Sequence, residues 1–119
     1  MASHAEGKET TTLALNCHAE GIKTYVDSSG TCSHVEGSET SAYGVWSHVE
    51  GYKCVVPSGA RFSHAEGRET SAASYNGCHA EGNATYASGD GSHAEGKDTK
   101  ALAPYCHVEG LKTYVNADG

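Results

Sequence analysis

Ser92-His93-Ala94-Glu95-Gly96-Lys97-Asp98-Thr99-Lys100-Ala101 decides the fold, because seven other segments of the chain echo it. The core of the echo is a small residue, His, Ala or Val, Glu and Gly. It occupies residues 3–7, 17–21, 33–37, 47–51, 63–67, 78–82, 92–96 and 106–110. The histidines follow one another at intervals of 14, 16, 14, 16, 15, 14 and 14 residues. A fixed short period of this kind is the signature of a repeat architecture, in which each unit buries its apolar face only by stacking on its neighbours.

Three residues after each motif glycine a second short stretch begins, at Thr10, Thr24, Thr40, Cys54, Thr70, Thr85, Thr99 or Thr113. Another small or branched residue follows two places later, for example Val26, Ala42 and Ala101. Each unit therefore holds two short strands of period-2 alternation separated by a glycine turn. Most units close with a loose polar segment such as Asp27-Ser28-Ser29-Gly30. Glycine and β-branched residues recur too often for helix, and no 3.6-residue stripe is present. Alternation puts Ser or Cys, Ala or Val, and the Thr and Ala/Val of the second stretch on an inner face, with His and Glu outside. The inner set is uniformly small, so the coil must be narrow.

Bulk composition agrees. Only 37% of the 119 residues are hydrophobic, while 15 are glycine, about twice the usual share. That is too little for a conventional core unless regular stacking replaces bulky packing. The expectation is an all-β solenoid of about eight coils of 14–16 residues, forming one repeat domain over residues 1–119 with no separate caps. Of the five cysteines, Cys17, Cys78 and Cys106 stand in the motif's Ser slot and Cys54 in the Thr slot. Small buried fillers, rather than disulfide or metal partners, are expected there.

The residue two places after each motif glycine reads Glu9, Lys23, Glu39, Lys53, Glu69, Ala84, Asp98 and Lys112. Opposite charges on adjacent strands attract, so this alternation, broken only at Ala84, fits one unit per coil and a stack about 38 Å tall at the usual strand spacing of about 4.8 Å. A second period competes. Alternate units carry Ile22 and Tyr25, Tyr52 and Val55, Asn83 and Tyr86, and Leu111 and Tyr114, where the others carry polar residues. A coil of about two units would gather these onto one face but would turn the charge ladder into like-charged columns, and it ranks second. In either case Ile22, Tyr25, Tyr52, Val55, Tyr86, Leu111 and Tyr114 mark a candidate contact surface.

The pattern Ser-His-Ala-Glu-Gly, two residues, Thr-x-Ala resembles the head repeats of YadA-like trimeric autotransporter adhesins. It is closer still to the SHAEG-rich repeats of tail-fibre and tail-spike proteins of phages that infect Gram-positive bacteria; residues 63–67 and 92–96 match that form outright. The resemblance spans Ser3 to Gly119. It implies a left-handed parallel β-roll, three chains side by side in a trimer, and binding to a host-cell surface receptor or extracellular matrix. It implies a structural or adhesive fibre module at the cell surface or virion, without catalysis in the repeats.

Other classes are disfavoured by composition. A formal charge of −7 with eight scattered basic residues leaves no footprint for nucleic acid or an anionic membrane. No apolar run is long enough to insert in a membrane, and no signal peptide follows Met1. The chain begins and ends at unit boundaries, so a self-assembling filament growing end to end is the alternative function.

The outward residues His4, Glu6, His18, Glu20, His34, Glu36, His48, Glu50, His64, Glu66, His79, Glu81, His93, Glu95, His107 and Glu109 form a ladder. Imidazole with carboxylate suits a divalent metal. A structural ladder of His–Glu hydrogen bonds is preferred, because even repetition lacks the convergence from separate elements that a metal site needs. No metal and no cofactor are therefore expected. If the ladder lies in an interface, partly protonated His relieves Glu–Glu repulsion and association weakens where His loses its proton. No catalytic residue is expected either. Cys17 and His18 point to opposite faces of a strand, a nucleophile needs its base within reach, and so narrow a coil leaves no room for a pocket.

Overall fold

The architecture is described from a computed structural model over residues 2–118. Every unit opens with a strand on the motif, from His4–Lys8 and His18–Ile22 in the first two coils to His93–Lys97 in the seventh and a shortened His107–Val108 in the eighth. A two-residue strand follows in each unit, such as Thr11–Thr12, Tyr25–Val26 and Lys100–Ala101. The long strands form one eight-stranded sheet and the short strands another, each ordered by sequence. Pairing is parallel and in register throughout: His4 opposes His18, Glu20 opposes Glu36, and Ala72 opposes Ala87. Each unit of 14–16 residues is therefore one coil of a parallel β-solenoid, and the two-unit coil is excluded. The long dimension is 41 Å, close to the height expected from eight stacked strands.

The core is as small as the sequence requires. Ala19, Val35, Val49, Ala65, Ala80 and Ala94 on the long strands are fully buried against Val26, Ala42, Val56, Ala72, Ala87 and Ala101 on the short ones. Alanine and valine lose little rotamer freedom on burial, so a narrow interior of this kind carries a low ordering cost per residue. Ala14, Ala60, Ser74 and Ala103 close the third side.

The choice of Ser or Cys before each His has a structural reason. Its side chain turns into the coil and donates to a closing-loop carbonyl, as Ser33 Oγ does to Gly44 O at 2.9 Å and Cys17 Sγ to Gly30 O at 3.1 Å. A thiol is a weaker donor of similar size, so the two alternate without disturbing the coil. Cys17, Cys54 and Cys78 are buried and Cys106 is half-buried, and all five thiols, including exposed Cys32, are free.

At the corner between the two sheets the motif glycine lies at positive φ, and a Cβ there would strike the glycine of the next coil, 2.2 Å from Gly82 O in the case of Gly67. Two residues on, Glu9, Lys23, Glu39, Lys53, Glu69, Ala84, Asp98 and Lys112 all adopt left-handed φ of 53–59°. Their amides reach back to the previous coil, as Lys23 N does to Lys8 O at 2.8 Å. The expected charge column is thus a column of strained corners. Its charges alternate between coils except at Ala84, but the one side-chain ion pair it makes among the described residues joins Arg68 to its neighbour Glu69, at 3.3 Å.

Candidate functional site

The two-residue alternation of the long strand turns His and Glu outward while the intervening Ala or Val is buried. In-register stacking then converts eight local pairs into a continuous array. From His18 to His107 the imidazoles lie face to face, with centroids 4.5–4.9 Å apart and planes within 11° of parallel. His4 meets His18 edge-on instead, at 72°. Each Nε2 faces the carboxylate of its own strand, at 3.0 Å for His64–Glu66, 3.2 Å for His79–Glu81 and 3.3 Å for His93–Glu95.

The expected His–Glu hydrogen bond is made only in part. His4–Glu6 and His48–Glu50 have hydrogen-bonding geometry, at 3.2 and 3.1 Å. At His18, His34, His64, His79 and His93 the Nε2 atom is sealed from solvent and has no aligned partner. The short His64–Glu66 separation is therefore proximity rather than a hydrogen bond, since the direction of approach is wrong.

At three positions of the ladder, His34, His79 and His93, the electrostatics run against protonation. Burial first, then the charges of His48 and His18, hold the pKa of His34 below the ordinary histidine value, and Glu36 and Glu50 only partly offset this. His79 is lowered by burial and by His64, and His93 by burial, His79 and His107. Desolvation and stacked like charges outweigh the carboxylates at these three positions, the reverse of a balance in which Glu keeps the ladder charged.

The candidate contact residues alternate with polar ones along the stack. Ile22, Tyr52, Leu111 and Tyr114 are exposed, as is Tyr86, while Tyr25 and Val55 are half-buried. Register interleaves them with polar residues: Ile22 lies between Lys8 and Ser38, and Tyr52 between Ser38 and Arg68. The result is a striped face on which Lys53 and Lys100 sit over the rings of Tyr52 and Tyr114, at 5.2 and 5.8 Å.

Two features escaped the sequence. Trp46 and Phe62, both exposed, stack at 5.0 Å and 9° on the corner that precedes the motif. That corner also has left-handed φ, at Asn16, Cys32, Trp46, Phe62 and Tyr105. Asn16, Gly77 and Gly91 in the same column were the available signal, since Asn and Gly favour that conformation. The outer surface carries an open groove of about 460 Å³ bounded by Ser3, Asn16, Cys17 and Cys32.

Among the described residues no helix is long and apolar enough to cross a membrane. Compared with family models, curated proteins and solved structures, the chain matches none.

Proposed function

We propose that this chain is a non-enzymatic structural module of a fibre, a head-type segment of a trimeric adhesin or phage tail fibre at a cell surface or virion. The observation that carries the reading is the in-register stack of eight coils around an interior of small side chains. Such a body is a rod whose chemistry lies wholly on its outside, suited to holding and displaying surface. Striped apolar and cationic side chains on both sides of the corner between the two sheets are the natural contact between chains or with a host-cell receptor or matrix. The likeness of the SHAEG units to adhesin heads and tail fibres supports a left-handed coil and three chains side by side.

The repetition itself favours one rival. Because every coil presents the same backbone register to the next, a second copy would extend the stack as further coils, giving a filament. Light scattering over a concentration series, with electron microscopy of the same sample, separates the two. A constant mass of three chains supports the head segment. Mass rising with concentration, together with visible filaments, supports end-to-end growth, and a monomer at all concentrations refutes both.

A further inference from the structure

The His–Glu ladder changes character along its length. Ring separation falls from 5.2 Å at His4–His18, through 4.9 and 4.8 Å, to 4.5 Å at His64–His79, and stays at 4.6–4.7 Å to His107. Side-chain exposure of His falls with it, from 63% at His4 to 33% at His79 and His93, and rises again to 56% at His107 in the last coil. Among the described residues, ligand atoms of two coils come together only in this tighter half. Within His64, Glu66 and His79 one donor atom from each residue lies within 4.8 Å of the others, and the same holds for His79, Glu81 and His93 and for His93, Glu95 and His107. Even repetition along one strand does not converge, but stacking supplies what the strand lacks, since the two imidazoles of each group come from different coils.

We propose that the C-terminal half of the ladder binds first-row divalent cations of the zinc type, each held by two imidazoles from successive coils and one carboxylate. Several observations select this chemistry. Two nitrogens and one oxygen form the donor set of three-ligand zinc sites, with a fourth position left for water or an incoming group. The Nε2 atoms of His64, His79 and His93 are sealed from solvent without an aligned partner, as are those of His18 and His34; coordination would satisfy the first three, and it is the approach of donor atoms from two coils that singles out this half. Harder cations that prefer all-oxygen shells, such as Ca²⁺ and Mg²⁺, fit poorly. Zn–N bonds of about 2.0–2.1 Å in a tetrahedral shell place the nitrogens about 3.3 Å apart. Because the rings are stacked within 10° of parallel and coordinate through in-plane lone pairs, metal uptake requires the two rings of a group to leave the stack and converge, a change of rotamer rather than a small tilt.

Sharing limits the number of ions. His79 and His93 each belong to two groups, so non-overlapping occupation leaves His64/Glu66/His79 and His93/Glu95/His107. The stoichiometry is two per chain. Zinc titration of the purified chain, read by native mass spectrometry and calorimetry, should give that number. H79Q and H93Q should each keep one ion, and H79Q/H93Q none. H18Q/H34Q, in the looser half, should keep both. E66Q/E95Q retains every imidazole and should bind roughly tenfold or more weakly. Circular dichroism of each variant before titration confirms that the coils are formed, and the glutamate variant serves if a histidine variant does not fold. Failure of the wild-type chain to bind zinc, retention of both ions by H79Q/H93Q, or loss of binding in H18Q/H34Q would overturn the proposal.

Discussion

Two glycines provide a controlled test of how closely the coils approach. Gly67 (φ +109°) and Gly59 (φ +88°) both occupy backbone that side chains avoid, but a Cβ at Gly59 meets nothing within 4 Å whereas at Gly67 it lies 2.2 Å from Gly82 O. Gly59→Ala then carries only the conformational term, about 1–2 kcal/mol. Gly67→Ala carries a similar term and must also drive the neighbouring carbonyl back by roughly 1 Å to reach contact distance. That displacement disrupts at least two ladder hydrogen bonds, each worth about 1 kcal/mol net, so the difference between the variants should be at least about 2–3 kcal/mol. For a chain of this size that corresponds to a Tm gap of roughly 10 °C. Thermal melts followed by far-ultraviolet circular dichroism read the gap directly. If the two variants melt within a degree or two of each other, the coils are not packed glycine on glycine and the corner geometry is wrong.

Other consequences are open to simpler measurements. The lowered pKa values of His34, His79 and His93 mean that the unfolded chain takes up protons near the ordinary value of about 6.5 while the folded ladder resists them. Stability is then complete above that pH and declines as pH falls through the lowered values. Melts from pH 7.5 to 5 should show Tm falling, and replacing the three histidines by Gln should flatten the slope. Below that range a further loss is expected as Asp27, held low chiefly by Ser29, and Asp90, held low by Ser74 and Asn76, take up protons. Val49→Ala empties part of a fully buried site between Val35 and Ala65 and should cost about 1–3 kcal/mol in denaturant unfolding. Among the thiols, exposed Cys32 should react with a disulfide reagent at once. Cys17, Cys54 and Cys78 should wait for unfolding, Cys78 most of all, because burial also raises its pKa.

The fold was legible because one physical constraint repeats eight times. Inward slots filled by Ser, Ala, Val and Thr admit only a narrow coil, and alternating Glu and Lys after the motif chose one unit per coil over two. What alternation could not convey was direction beyond inside and outside. It placed His beside Glu but not at what angle, so the missing hydrogen bonds of His64, His79 and His93 were hidden until the rings stood in a stack. One unit per coil already implied that Tyr52 and Leu111 alternate with polar residues, and the register sets Arg68 and Lys97 beside them. Trp46 and Phe62 were invisible for another reason. Their column holds Asn, Cys, Gly and Tyr elsewhere, so nothing in its pattern distinguishes a corner from a loop.

The bonds that join one coil to the next, such as His4 N to Cys17 O and Thr11 N to Thr24 O, run along the 41 Å axis rather than across it. Tension applied along the rod therefore pulls on a few bonds at a time instead of shearing many together. A terminal coil that peels away surrenders roughly 4.8 Å of stacked height and releases about 14 residues that extend to roughly 48 Å. Load would thus be met by lengthening about tenfold for each coil lost while the remaining coils keep their register. The same repetition that makes the rod regular makes it a stepwise energy absorber.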